Sequence, residues 1–381
     1  MIRKVAPPDP RAWPAKTIEG RRHSNDKALR RSPTMSRTNI IFPPGKLSAS
    51  YLRRLLDNYV DKTVVRQARL VVGPGIGLDA AAIDFHSKAD HYLIAKTDPI
   101  TFVSEEIGLY ALTINANDLA TMGAIPRWFL ATLLFPPGTP ARDITRVFSQ
   151  LGAVCRAMEV ALCGGHTEIT DAVTRPVIVG CLLGECPKHR LVTTAGARVG
   201  DAILLTKGIP IEAVSILARE RQDALAKRFS SRFLARCKRF LHRPGISVVR
   251  DAQLALAGGG VHAMHDPTEG GLSTALYEIA EAARVGIEVD ESAIPVLPEG
   301  LEICRYFGID PMGAIASGAL LICADPRRTR RIQLTLTEHG IAAACIGQVV
   351  PRQKGVRLRT SSGTVKALPR FARDEIARVL E

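Results

Sequence analysis

At 381 residues, with 46% hydrophobic and 23% charged content, the chain is long enough for two or three globular domains with buried cores. Its longest strongly apolar runs, "VIVGCLLG" and "AIASGALLICA", fall short of the roughly 18 residues that a membrane helix needs, and residues 1–34 lack the apolar core of a signal peptide, so a cytoplasmic protein is expected. The formal charge of +14 invites a nucleic-acid partner, but residues 1–34 hold nine Lys/Arg against three Asp/Glu and aromatic stacking pairs are lacking. Nucleic acid is disfavoured, and acidic small molecules such as nucleotides suit the local positive potential better.

Along the chain, residues 1–38 form a basic, Pro-rich extension that cannot build a core. "FPPGKLSASYLRRLLDNYV" then sets Leu52, Leu55, Leu56 and Tyr59 at helical spacing. Strand-like runs follow, "ARLVVGPG", "AAAIDF" and "HYLIAKTD". In "EEIGLYALTINANDLATMGAIP" a rotation of about 100° per residue puts Ile107, Ala111, Ile114 and Met122 on one helical face with Asp118 near its middle. An unpaired carboxylate there would cost several kcal/mol or change its protonation, so Asp118 needs a partner, a ligand or no burial. A strand "RWFLATLLF", a helix over about residues 141–160, and strands "VALCGG" and "RPVIVGCLLGE" come next. The turn-rich passage "CPKHRLVTTAGARVGD" places a boundary near residues 187–200, before a second series that starts at "AILLTKG". Helices and strands in runs predict α+β layers, with domains over 39–187 and 196–355 and a tail over 356–381.

The eight cysteines are scattered in mostly apolar stretches with no C-x-x-C pair, which argues against zinc ribbons and disulfide scaffolds and for inert buried thiols. Acids stand at the ends of apolar segments: Asp79 after Gly73, Gly75 and Gly77, Asp98 in "LIAKTDPI", Asp118 after Asn117, and Glu168 in "CGGHTEIT". Singly, each has a structural explanation: a turn before Pro99, a lysine pair for Asp118, an ordinary loop acid at Glu168. Together they suit magnesium, which takes oxygen ligands and substrate phosphates. In "AMHDPTEGGLSTALYEIAEAARVG", Asp266 suits an N-cap, Pro267 the first helical position and Glu269 the third, a capping box. Gly270 and Gly271 would expose N–H groups where phosphate binds well. Gly286 is the expected stop. Neither a Walker loop nor a Rossmann turn occurs, and His166, His262 and His265 lack metal spacing with cysteines, which favours solvated or hydrogen-bonded roles.

The ordered motifs "GLDAAAI", "KTDPI", "NANDLATMGAIP", "GGHTE" and "HDPTEGGLSTALYEIA" resemble the PurM-like superfamily of aminoimidazole ribonucleotide (AIR) synthase-related proteins. "NDLATMGA" and "IDPMGAIASGALLI" look most like the branch of the hydrogenase maturation factor HypE. The resemblance implies two α+β domains, a homodimer whose N-terminal strands form a shared barrel, a layered C-terminal α/β domain, and ATP with Mg2+ near the dimer interface. By motif, Asp79, Asp98, Asp118 and Glu168 would be metal ligands. Gly77, Lys96, Thr97, Asn117, Gly164 and Gly165 would stand beside them around the nucleotide, and Asp266, Thr268, Gly270 and Gly271 would face the same cleft. No catalytic residue is assigned. HypE ends in a carbamoyl-accepting cysteine, whereas this chain ends "DEIARVLE" with Cys345 as its last cysteine; its first is Cys155, unlike the N-terminal reactive residue of selenophosphate synthetases. Thiamine-monophosphate kinases carry paired aspartates where Leu78 and Asp79 stand, and AIR synthases a longer motif after "GGET". The expectation is an ATP- and Mg2+-dependent enzyme that activates or phosphorylates a small carbonyl, amide or phosphate-bearing substrate. The other reading is a non-catalytic nucleotide-binding accessory that acts through a protein partner.

Overall fold

Two sheets carry the computed structural model, which describes residues 49–59, 69–85, 90–101, 103 and 105–381, all within the compact unit Lys46–Glu381. The extension 1–38 lies outside the described residues. The first half comprises α1 (Ala49–Tyr59), β1 (Leu70–Val72), β2 (Ala81–Ile83), β3 (His91–Ile100), α2 (Ile107–Thr121), β4 (Ile125–Phe135), α3 (Ala141–Met158), β5 (Ala161–Ile169) and β6 (Val177–Pro187). Its strands lie in the order β1-β2-β3-β6-β4-β5. Pairing is antiparallel except for β4 with β5, a parallel pair that needs a crossover, supplied by α3. Strand β5 runs on from the expected strand through Gly164 and Gly165 to Glu168, which was expected to be a loop acid, because Leu130 to Leu134 of β4 pair with this segment.

The second half comprises β7 (Ala202–Thr206), α4 (Ile211–Glu220), α5 (Gln222–Ala226), α6 (Ser231–Lys238), α7 (Val249–Gly258), β8 (Val261–His265), α8 (Gly271–Ala283), β9 (Gly286–Asp290), α9 (Pro298–Phe307), β10 (Leu321–Ala324), α10 (Pro326–Glu338), β11 (Ala343–Val350), β12 (Val356–Arg359), β13 (Val365–Ala367) and α11 (Ala377–Leu380). The sheet order is β13-β12-β9-β11-β7-β10-β8. Strand alternation divides its core: Ile203 and Leu205 pack with Leu272, Leu276 and Ile279 of α8, while Leu204 packs with Ala255 of α7 and Ile332 and Leu336 of α10. The expected layered α/β domain follows from this two-sided burial.

Helix α2 joins the halves. All its residues except Leu109 are buried, so it has no single apolar face. The first sheet covers one side, and Ile211, Val214 and Leu217 of α4 belong to the same core as Leu112 and Leu119. Fully burying such side chains stabilises by about 1.5–3 kcal/mol each. Close approach to the sheet relies on Gly180 of β6, where a Cβ would lie 2.5 Å from Asn115 Nδ2. The Arg-rich stretch 219–243 is largely exposed, but Arg219 is enclosed, donating to Ser215 O and Lys238 O. Cys155, Cys186, Cys237, Cys304 and Cys323 are buried, and burial pushes the Cys186 thiol up to about 11, which keeps it an unreactive thiol. Among the described residues no helix is long and apolar enough to cross a membrane.

Candidate active site

Alternation along β3 puts Lys96 and Asp98 on the face that carries buried Ile94, towards α2. Lys96 Nζ pairs with Asp118 Oδ2 at 2.9 Å and with Asp98 Oδ2 at 3.6 Å. The partner that Asp118 required is therefore this lysine. Burial lowers the Lys96 pKa, but Asp118 and Asp98 outweigh it and hold the ammonium above its ordinary range.

Asp79 ties the elements together. Its carboxylate accepts from Thr121 at 3.1 Å, from Thr194 at 3.3 Å and from His265 Nδ1 at 2.9 Å. The other ring nitrogen of His265 lies 2.8 Å from Glu278 Oε2. Burial lowers the His265 pKa, and Asp79 and Glu278 raise it further than burial depresses it, so the ring lies between two carboxylates that favour its protonated form. This is the hydrogen-bonded role expected for it, at a place the sequence spacing did not point to.

Asp266 completes the cluster. One ligand atom each of Asp79, His265 and Asp266 lies within 4.8 Å of the others. Both carboxylate oxygens of Asp266 are buried without a hydrogen-bond partner. Burial and then Asp79 push its carboxyl up to about 7, with His265 and Lys96 opposing. Burial likewise raises Asp118 well above the usual carboxylate range; Lys96 opposes, and Asp266 and Asp79 add to the rise. Acids outnumber the cations Lys96 and His265, and a buried excess of negative charge is relieved by protons or by a bound cation.

The other expected residues have different neighbours. The Thr97 hydroxyl donates to Gly180 O of β6 at 2.8 Å. Asn117 donates to Ile246 O and accepts from Val248 N, both at 2.8 Å, so it clamps α2 to the second half. Gly77, at φ 68°, closely approaches the Glu278 backbone, where a Cβ would lie 2.8 Å from the carbonyl oxygen. The capping box does not form: α8 starts at Gly271 with Gly270 as N-cap at φ 82°, five residues beyond Asp266. Its first N–H groups, expected to meet phosphate, are spent on protein. Gly270 N donates to Asp374 Oδ2 at 2.7 Å, Gly271 N to Thr268 O at 2.9 Å and Ser273 N to Met312 O at 3.0 Å. The helix ends at Arg284, and Gly286 opens β9. Gly164, Gly165 and Glu168 lie on the edge strand β5, exposed throughout, and Glu168 meets His166 at 3.3 Å. Three inter-strand steps of about 4.8 Å separate β5 from β3, so Glu168 does not join the acids of its own chain.

Glu278, Thr121 and Thr194 were not foreseen. Thr121 stands three residues after Asp118, the spacing of side chains on one helical face, and could have been found. Nothing local marks Thr194, which reaches Asp79 from the segment between the halves.

Residues 77–186 match the family model of the AIR synthase related protein N-terminal domain, and residues 198–359 that of the C-terminal domain. The chain belongs to the AIR synthase-related family. Within this PurM-like family it falls in the HypE-like branch. It is 30% identical over 283 residues to the carbamoyl dehydratase HypE of Escherichia coli strain K12, covering 73% of this chain and 80% of that protein. A structure of HypE in complex with ATP is similar at 26% identity and a TM-score of 0.65, covering 85% of this chain and 95% of that one. HypE in a HypE–HypF complex shares the fold at 20% identity and a TM-score of 0.69, over 85% of this chain and 100% of that one. The expected two-domain α+β fold is that of this family.

Proposed function

We propose that this chain is an ATP- and Mg2+-dependent enzyme that phosphorylates or otherwise activates a small carbonyl, amide or phosphate-bearing substrate. The observation that carries the reading is Asp266, with both oxygens buried and unpartnered beside Asp79. An oxygen-rich donor set fits magnesium, and both His265 nitrogens are already engaged. Asp79, Asp118 and Asp266 would hold the ion, with Asp98 alongside. Bound magnesium would neutralise the triphosphate and align its terminal phosphoryl group. Lys96 offers a fixed positive charge to phosphate oxygens, and His265 holds Asp79 in one orientation. Thr97 and Asn117 support this geometry without touching the nucleotide. Similarity to a HypE that binds ATP supports the nucleotide.

The same reading makes the chain a homodimer through the first sheet. Edge strand β5 and its neighbour β4 expose Leu162, Ile169, Trp128 and Leu130, an edge that proteins ordinarily cover. Gly164, Gly165 and Glu168 would meet a nucleotide only across that interface. Calorimetry with ATP, with and without Mg2+, tests the proposal. Asp266→Asn should weaken Mg2+-dependent ATP binding by about tenfold or more, and unchanged affinity would refute the role. ATP hydrolysis against a panel of amides, carboxylates and phosphates then identifies the substrate class. Tight binding without turnover would favour an accessory that acts through a protein partner, a reading prompted by the HypE–HypF likeness.

A further inference from the structure

A cavity of about 40 Å³ opens beside Asp98 between the two halves. Asp98, Tyr110 and Ile114 line it from the first half, and Glu212, Glu269 and Ser317 from the second. Tyr110 OH, Glu212 Oε2 and Ser317 Oγ are all buried and none makes a well-aligned hydrogen bond, with Ser317 beside Glu212 and Ser215 beside Tyr110 and the three residues 2%, 4% and 0% exposed. Leaving such groups without a well-formed partner is costly, and their gathering in one cavity marks a ligand's place. The walls are fixed beforehand. Ala213 N donates to Ile315 O at 3.1 Å, and Lys207 Nζ holds Gly318 O at 2.9 Å and Ser247 O at 2.7 Å. Glu212 and Ser317 therefore face the cavity from segments bonded to one another.

Size and charge narrow the occupant. The volume admits a head group of a few heavy atoms. Asp98, Glu212 and Glu269 line it, and no Lys or Arg is among the described lining residues. A phosphate dianion is held best by cationic donors, and three carboxyl groups with no lining cation disfavour it here. Burial pushes the Glu212 carboxyl up to about 8 against the nearby Ser317 hydroxyl, with Glu269 adding to the rise, a strain that a hydrogen-bond donor would relieve.

We propose that this cavity receives a nitrogen head group, –NH2 or –NH3+, of the acceptor substrate, with Glu212 and Ser317 as its acceptors and Tyr110 completing the set. The inference rests on the ATP-dependent reading and narrows its substrate, because it disfavours a phosphate head group. The probes are acetamide, methylammonium, acetate and methyl phosphate, measured by saturation-transfer NMR on the full chain with and without Mg2+-ATP. Acetamide or methylammonium should bind about tenfold more tightly than the two anions, the effect of one buried hydrogen bond. Ser317→Ala and Tyr110→Phe should each weaken that probe severalfold and leave Mg2+-ATP affinity unchanged. Loss of methylammonium binding in Glu212→Gln identifies an ammonium head group; retention of acetamide binding there identifies an amide. Anions that bind as well as the nitrogen probes, or nitrogen binding that survives both Ser317→Ala and Tyr110→Phe, would overturn the proposal. Failure of the unmodified chain to bind Mg2+-ATP would instead sink the functional reading, with the probe affinities measured independently of it.

Discussion

Segments 164–168 and 266–271 both set a glycine pair near an acid and a threonine, yet they end in opposite surroundings. The second is enclosed between the halves, and Asp266 is 1% exposed. The first lies on the outermost strand, where every residue is exposed and Glu168 meets the exposed His166. Similar residue types thus give a strained, titrating cluster in one place and an ordinary solvated edge in the other. Enclosure by α2, β3 and the second half makes the difference, because only desolvated carboxylates must be paired, protonated or metal-bound.

Glycine substitutions should break this comparison most sharply. At Gly271, with φ 63°, a Cβ would lie 2.6 Å from Met312 O and 2.7 Å from Ala314 O, all backbone atoms. Gly271→Ala is expected to destabilise by about 4 kcal/mol or more. At Gly164 nothing lies within 4 Å of the added atom, so Gly164→Ala should cost about 1 kcal/mol from its backbone conformation alone. Urea denaturation of both variants measures the contrast, and equal losses would show that enclosure is not what distinguishes the segments.

The pH dependence should be nearly as large. Asp266 holds its proton up to about pH 7 in the folded chain, above the ordinary carboxylate range, so the folded state binds more protons than the unfolded one in between. Its contribution is complete below the ordinary range and is lost as pH rises through 7. The raised His265 acts in the same direction at higher pH. With EDTA present, the chain should lose on the order of a few kcal/mol between pH 5 and pH 8. Added Mg2+ should raise the melting temperature more at pH 8 than at pH 5, and Asp266→Asn should flatten both trends. A flat stability profile in EDTA would show that the cluster carries no excess charge.

Much of the order of elements was legible, because apolar runs bounded by glycines and polar turns mark β3 and β6, and the helical spacing of Ile107, Ala111 and Ile114 marks α2 though not its all-round burial. The need of Asp118 for a partner was legible too, and a lysine was among the alternatives. What local pattern could not carry was set by distant chain. Helix α2 is buried all round because α4, about a hundred residues on, covers it. The Gly270 N–H goes to Asp374, so no reading of the glycine pair alone could show that its donors were taken. Strand β5 passes through two glycines because pairing with β4 overrides their weak strand propensity. Asp266 misled through its capping pattern, while its packing against Asp79 and His265 depended on three separated segments.

Removing one carboxylate from each segment's neighbourhood should sharpen the contrast further. Asp118→Asn leaves Lys96, 22% exposed, with Asp98 at 3.6 Å as its remaining ion pair among the described residues. Loss of a partner from a buried pair costs about 3–5 kcal/mol, and the remaining aspartate and partial exposure should reduce this to about 2 kcal/mol. Mg2+-dependent ATP binding should be abolished in the same variant. Calorimetry checks the second effect, and an unchanged affinity would remove Asp118 from the ligand set.

The smallest effect is expected at Glu168→Gln. Its side chain is 52% exposed and bonded to the exposed His166, so stability should stay within about 0.5 kcal/mol. The two strands between β5 and β3 mean that ATP affinity of an isolated subunit should not change. A second copy docked on β5 alters that expectation, because it alone can bring Glu168 to a nucleotide. ATP affinity should then fall in Glu168→Gln only at protein concentrations where sedimentation shows dimers. A loss that is already present in the monomer would mean that the edge strand reaches the site within one chain, and the contrast between the two segments would disappear.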